Sequence, residues 1–90
     1  MYYATDRQTA ERVLNDLRSS RLDDRATALA TLQRIRNQAA CARTEDQLRM
    51  QAWLSIRNLY EACKAAPERD LKSLWQDAIA KTVTWQESMR

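Results

Sequence analysis

The fold is decided by residues 44–66, which run Thr44-Glu-Asp-Gln-Leu-Arg-Met-Gln-Ala-Trp-Leu-Ser-Ile-Arg-Asn-Leu-Tyr-Glu-Ala-Cys-Lys-Ala-Ala66. Thr44 and Gln47 form a capping box, and the two acids between them favour the positive end of the helix dipole. The apolar positions recur at helical spacing: Leu48, Ala52, Ser55, Ile56, Leu59, Ala62 and Cys63. This pattern predicts an amphipathic helix in the middle of the chain.

The composition extends this prediction to the whole chain. The 90 residues include no glycine, one proline and fourteen alanines, whereas tight turns and sheet bulges normally use glycine for positive backbone angles. We therefore expect an all-α protein with residues 1–90 in a single helical domain. The expected architecture is a small antiparallel bundle of four helices with a shorter first helix, or a three-helix bundle with a docked N-terminal helix.

The other three helices follow from the same periodicity. The first is expected from Thr5 to Arg18-Ser19-Ser20, the second from Asp23 or Asp24 to Ala42, and the fourth from Pro67 onward. Their predicted apolar faces comprise Tyr3, Ala10, Val13, Leu14 and Leu17; Ala28, Leu29, Leu32, Ile35 and Ala39; and Leu71, Leu74, Trp75, Ala78, Ile79, Thr82, Trp85 and Met89. Short connections predict antiparallel neighbours.

The residues that most enzymes need are missing. Without histidine the chain lacks the commonest general base and metal ligand, and without glycine it can form neither a Walker loop nor a nucleophile elbow. Cys41 and Cys63 have neither metal nor redox spacing, and we interpret them as small buried side chains. The sequence predicts no catalytic residue, no cofactor and no metal site.

The chain shows no sign of membrane insertion or secretion. No apolar run approaches the ~20 residues that a membrane span requires, and the N-terminus lacks a charged segment followed by an apolar one. We expect a cytoplasmic protein.

Basic charge is concentrated between residues 18 and 43. This segment holds six arginines and two acids, while the rest of the chain holds nine basic and ten acidic residues. The six candidates for partner binding are Arg18, Arg21, Arg25, Arg34, Arg36 and Arg43. They could form a solvated helix face, a contact to an acidic protein, or a phosphate-binding patch.

Apolar surface remains after the core faces are assigned. Met50 and Leu54 lie opposite the core stripe of the third helix, Trp53 and Tyr60 flank that stripe, and Val83 and Trp85 widen the apolar arc of the fourth helix. Aromatic residues, methionine and arginine are typical interface anchors. The alternative is that the tryptophans fill the core and the third helix is buried on two sides.

These patterns favour a non-catalytic protein-binding module, a small adaptor, regulator or inhibitor that occupies the surface of a macromolecular partner. Small helical regulators of bacteria and phages are of this class. The partner is expected to be a protein, with an acidic surface or as a second copy in a homodimer. The alternative is a nucleic-acid-binding accessory protein that uses the arginines of residues 18–43.

Overall fold

The computed structural model describes residues 6–19, 25–40, 47–65 and 71–88. Every regular element in these ranges is an α-helix: α1 spans Asp6–Ser19, α2 Arg25–Ala39, α3 Gln47–Ala65 and α4 Lys72–Glu87. The all-α prediction is confirmed, and α1 is the shortest helix, with 14 residues. The predicted caps Thr5 and Thr44 lie outside the described residues, as do Tyr3, Cys41 and Met89.

The helices form an antiparallel four-helix bundle. α1 packs against α2 and α4, and α3 packs against the same two helices, so α1 and α3 lie diagonally opposite each other. Trp75 at the start of α4 contacts Leu17 near the end of α1, as expected for antiparallel neighbours. Because α1 buries Ala10 and Val13 completely in the common core, it is an integral member of the bundle and not a docked appendage.

The core contains the apolar positions that the helical periodicity predicts. Its buried members are Ala10, Val13, Leu14, Leu17, Ala28, Leu32, Ile35, Ala39, Ala52, Ile56, Leu59, Cys63, Leu71, Ala78 and Trp85. Leu29, Leu48, Ala62, Leu74, Trp75 and Ile79 are partly buried against it. Alanines allow helix backbones to approach closely, but each buries little apolar area. Trp85 is the largest fully buried side chain, so much of the core volume depends on it.

The predicted start of the fourth helix at Pro67 is wrong for α4. The structure places Leu71 at the N-cap, where its carbonyl accepts a hydrogen bond of 2.9 Å from the Trp75 N–H, and α4 itself begins at Lys72. Proline is accepted in a first helical turn but does not require a helix to begin there. The side chain of Leu71, the residue before the first residue of α4, is buried in the core.

Side-chain donors form hydrogen bonds to carbonyls in the last turns of the helices, where a glycine cap would otherwise supply a backbone donor. No described residue has a positive φ, so the left-handed cap that commonly ends helices is absent from the described ranges. The Ser19 hydroxyl donates to the carbonyl of Asn15 at the end of α1, and the Ser88 hydroxyl donates to that of Trp85 at the end of α4. The Trp75 Nε1–H donates to the Leu17 carbonyl at 2.7 Å, which links α4 to α1.

Candidate functional site

Two guanidinium groups cover aromatic rings on the side of the bundle where α2 meets α3. The Cζ of Arg57 lies 5.6 Å from the centroid of the Trp53 ring, one turn earlier on α3. The Cζ of Arg36, on α2, lies 5.1 Å from the centroid of the Tyr60 ring. Both rings are half-buried and pack against the core. Both rings are therefore anchored in the fold, and of the two arginines that cover them Arg57 is exposed and Arg36 is half-buried.

Apolar side chains lie next to these pairs on α3. Met50 precedes Trp53 by three residues and Leu54 precedes Arg57 by three, a spacing that places them as neighbours on the helix surface. Met50 is half-buried, whereas Leu54 is 38% exposed, the one exposed large hydrophobic residue among those described. We define the α2–α3 face by these six residues: Arg36, Met50, Trp53, Leu54, Arg57 and Tyr60.

The two stacked arginines keep their hydrogen-bonding capacity for an external group. Neither Arg36 nor Arg57 forms an ion pair with an acid within the described ranges, whereas Arg34 contacts Asp16 at 3.6 Å. A guanidinium stacked on a ring still has its five N–H donors in its own plane, where they can bind a carboxylate or a phosphate. Stacking also restricts the side chain before binding, which lowers the entropy cost of the contact.

Charge is distributed unequally between the two halves of the bundle. The sequence of α1 has three basic and three acidic residues, and that of α4 has two of each. The sequence of α2 has three arginines and no acid, and α3 has Arg49, Arg57 and Lys64 against Glu61 alone. The positive excess of the four helices therefore lies entirely in α2 and α3, the helices that form the α2–α3 face.

The predicted basic patch is divided in the structure. Arg34 points to α1 through its contact with Asp16, and Arg36 points to α3 through its contact with Tyr60. These arginines flank Ile35, which is fully buried, so they lie on opposite sides of α2. Arg18 is exposed on α1.

Three of the predicted arginines cannot be assigned to either side of α2. Arg21 and Arg43 lie outside the described residues, and Arg25 is described only as the first residue of α2.

The predicted apolar surface is brought together only in part. Met50, Trp53, Leu54 and Tyr60 share the α2–α3 face, but Val83 is half-buried on α4, which is not a neighbour of α2. The expectation that Trp85 is a surface anchor is corrected by its burial, because only 1% of it is exposed. Its ring fills the space that the small alanines leave in the core, so it supports the bundle instead of contacting a partner.

Sequence reasoning did not include Arg57 in the site. The spacing of Trp53 and Arg57, four residues apart on one helix, was a signal that could have identified this pair. The contact between Arg36 and Tyr60 had no such signal, because 24 positions separate these residues and only the packing of α2 on α3 joins them.

A shallow groove runs between α3 and α4, and Leu54 lies at the border between this groove and the α2–α3 face. One depression of about 420 Å³ is lined by Asn58, Glu61, Ala62, Ala65 and Leu74, and a second of about 320 Å³ by Gln51, Leu54, Ser55, Asn58, Asp77 and Lys81. Both are open to solvent, and the exposed Lys81 and Asp77 lie 4.0 Å apart within α4. These open depressions of mixed polar and apolar lining give no enclosed site for a small molecule.

The described residues do not contain a group of three or more histidine, cysteine or acidic side chains that could hold a metal ion. Within the same part of the chain, none of the helices combines the length and apolar character that crossing a membrane requires. No protein-family model, curated protein or solved structure matches the chain.

Proposed function

We propose that this protein is a non-catalytic protein-binding module, a small adaptor, regulator or inhibitor that occupies a partner's surface with its α2–α3 face. The observation that carries the proposal is the pair of guanidinium groups stacked on half-buried aromatic rings beside the exposed Leu54. The proposed setting is the cytoplasm.

The composition of the face supports a protein partner. Binding energy at protein interfaces is concentrated in a few aromatic and arginine residues surrounded by apolar contacts. Trp53 and Tyr60 are held against the core, so little side-chain freedom is lost when a partner covers them. Leu54 and Met50 add apolar area, and its burial by a partner contributes a favourable free energy of ~25 cal/mol per Å².

A nucleic-acid-binding accessory protein is the second candidate, and the positive excess on α2 and α3 favours it. Two features of the α2–α3 face favour a protein partner over a nucleic acid. Bases bind proteins by stacking on aromatic faces, but guanidiniums already lie over the rings of Trp53 and Tyr60. In addition, Leu54 offers an apolar contact that a phosphate backbone cannot use.

The same charge makes a symmetric homodimer through the α2–α3 face unfavourable. Such a dimer would bring the unpaired arginines of one copy against those of the other, and buried like charges are costly. The partner we propose for this face is therefore a different protein.

The test compares two variants with the same change in charge. Leu54→Glu alters the α2–α3 face, and Ala80→Glu alters an exposed position of α4. Each protein is immobilised, and proteins retained from cell extract are quantified by mass spectrometry at 50 and 200 mM salt. We expect a partner that the wild type and Ala80→Glu retain and that Leu54→Glu loses.

Retention of the same proteins by all three chains would contradict the proposal. Circular dichroism and urea unfolding of both variants confirm that any lost binding does not arise from unfolding. Fluorescence anisotropy with labelled single- and double-stranded 20-mers tests the second candidate, which requires affinity that falls steeply with salt.

A further inference from the structure

We infer that the partner presents an acidic amphipathic helix that lies along α3 and places two carboxylates, two helical turns apart, on Arg36 and Arg57. This inference rests on the proposed function and specifies the chemistry of the partner. The apolar side chains of the same helix pack against Met50 and Leu54.

The spacing follows from the aromatic rings that hold the arginines. Trp53 and Tyr60 are seven positions apart on α3, so their Cα atoms are separated by ~10.5 Å along the helix axis at a rise of ~1.5 Å per residue. Residues seven apart on a second helix have the same separation and lie on one face. Each guanidinium lies within 5.6 Å of the centroid of its own ring, so carboxylates at positions i and i+7 of a helix aligned with α3 match the spacing of the two ring-bearing residues.

Charge complementarity selects an acidic helix over a neutral one. α2 contains no acid, and Glu61 is the one acid in the sequence of α3, so within the described ranges Arg36 and Arg57 have no carboxylate that a partner would need to displace. Arginine binds carboxylates through two parallel N–H bonds, and these bonds are stronger than those between neutral groups. A carboxylate on the partner helix can therefore bind a guanidinium that no acid in the described ranges occupies.

The apolar residues of the α2–α3 face require that the partner helix be amphipathic. Met50 and Leu54 lie four positions apart and flank Trp53, so they form a continuous apolar strip beside Arg57. A partner helix that carries apolar residues next to its acids covers this strip while its carboxylates engage the guanidiniums. Helix-in-groove recognition of this kind uses anchors at positions i, i+3, i+4 and i+7.

None of the described helices of a second copy fits this description. Within the described helices, no two acids are seven positions apart: α1 has Asp6, Glu11 and Asp16, and α4 has Asp77 and Glu87. None of the four helices can place carboxylates on both arginines at once, which is why we assign the face to a different protein.

The test is a selection from a displayed library. A helical scaffold of about 20 residues, long enough for marginal helix stability, is randomised on one face and sorted against the full-length wild-type protein. We expect enrichment of sequences with Asp or Glu at i and i+7 and apolar residues beside them. One enriched peptide is then synthesised, and its affinity for each variant is measured by fluorescence anisotropy.

Conservative variants distinguish a forked contact from general positive charge. Arg57→Lys and Arg36→Lys keep the charge but cannot form the two parallel bonds, so we expect each to weaken binding of the selected peptide about tenfold. Arg12→Lys, at an exposed position of α1, is the matched control and should leave the affinity unchanged. Equal affinity of the wild type and Arg57→Lys would overturn the inference.

The outcomes separate this inference from the proposed function. Enrichment of peptides without paired acids, or no enrichment above background, overturns the acidic-helix inference, while the comparison of Leu54→Glu with Ala80→Glu still decides whether the face binds a protein. Tight, salt-dependent binding of an oligonucleotide that is lost in Arg36→Lys and Arg57→Lys overturns both.

Discussion

The guanidinium of Arg49 lies over the ring of Trp85, with its Cζ 5.4 Å from the ring centroid, and joins the start of α3 to the end of α4. The same group donates hydrogen bonds to the carbonyls of Gln38, Ala39 and Ala40 at 3.3, 3.3 and 2.9 Å. One side chain therefore connects three helices and satisfies the final carbonyls of α2, at a helix end where no glycine cap is present.

Arg49→Ala should destabilise the bundle more than the loss of any other described arginine. The substitution removes the contact with Trp85 and leaves the last carbonyls of α2 without this donor. We expect a loss of about 2 to 3 kcal/mol in the free energy of unfolding, because hydrogen bonds from a charged group contribute about 1.5 to 3 kcal/mol. Urea denaturation followed by circular dichroism measures it.

Arg57→Ala is the control for this prediction, since Arg57 is exposed and contacts Trp53 on its own helix. A loss of less than about 1 kcal/mol is expected there. Equal stabilities of the two variants would show that the contacts of Arg49 across three helices contribute little.

The two tryptophans of α4 should respond differently to replacement by phenylalanine. Trp75→Phe removes the Nε1–H donor and leaves the Leu17 carbonyl without it, at an expected cost of about 1 to 2 kcal/mol. Trp85→Phe removes a buried Nε1–H that has no acceptor among the described residues, and this gain offsets part of the lost packing. We expect Trp85→Phe to be the less damaging change in thermal and urea unfolding.

A larger loss for Trp85→Phe than for Trp75→Phe would mean that ring volume dominates over the unpaired donor. Trp85→Ala then provides a reference for complete loss of the ring, with an expected cost of about 3 to 5 kcal/mol.

Ser55 should tolerate no larger side chain. It is buried where α3 meets α4, and its hydroxyl donates to the Ala52 carbonyl at 2.7 Å. Ser55→Leu inserts methylenes into this contact and is expected to cost about 1 to 3 kcal/mol. Asn58→Leu, at an exposed position one turn later, should change stability by less than about 0.5 kcal/mol. Similar losses for the two variants would contradict the close approach of α3 and α4.

Substitution of Arg36 should weaken partner binding, whereas substitution of Arg34 should not. Arg34→Gln removes an exposed contact with Asp16 and should change stability by less than about 1 kcal/mol, with no change in affinity for the partner retained through the α2–α3 face. Arg36→Gln should weaken that affinity, because Arg36 belongs to the face. Equal weakening by both, measured by anisotropy, would instead indicate a continuous basic surface of the kind that nucleic acid requires.

Most of the fold could be predicted from local patterns. The 3.6-residue periodicity identified the apolar faces, and residues such as Val13, Leu32 and Ile56 are fully buried as expected. Pro67 did not mark the start of α4, which begins at Lys72, because proline is accepted in a first helical turn without requiring a helix to begin there. Part of the candidate site was also predictable. Helical periodicity places four of its residues outside or beside the core stripe of α3: Met50, Trp53, Leu54 and Tyr60.

The local sequence pattern does not predict whether Trp85 lies in the core or at the surface. The apolar arc of α4 is wide enough to face either the core or a partner, and its composition is the same in both cases. The structure resolves the choice by burying the ring beneath Arg49. The division of the arginines has the same origin, because the neighbours of Arg34 and Arg36 are set by where α1 and α3 lie beside α2.

The sequence by itself determined the helices, their core faces and the absence of histidine- and glycine-dependent chemistry, because these depend on residue types and on spacing within one helix. Only the tertiary structure decided which arginines meet aromatic rings of other helices. Arg36 and Tyr60, like Arg49 and Trp85, are distant in sequence and are brought within about 6 Å, the range of a cation–π contact, by the packing of separate helices.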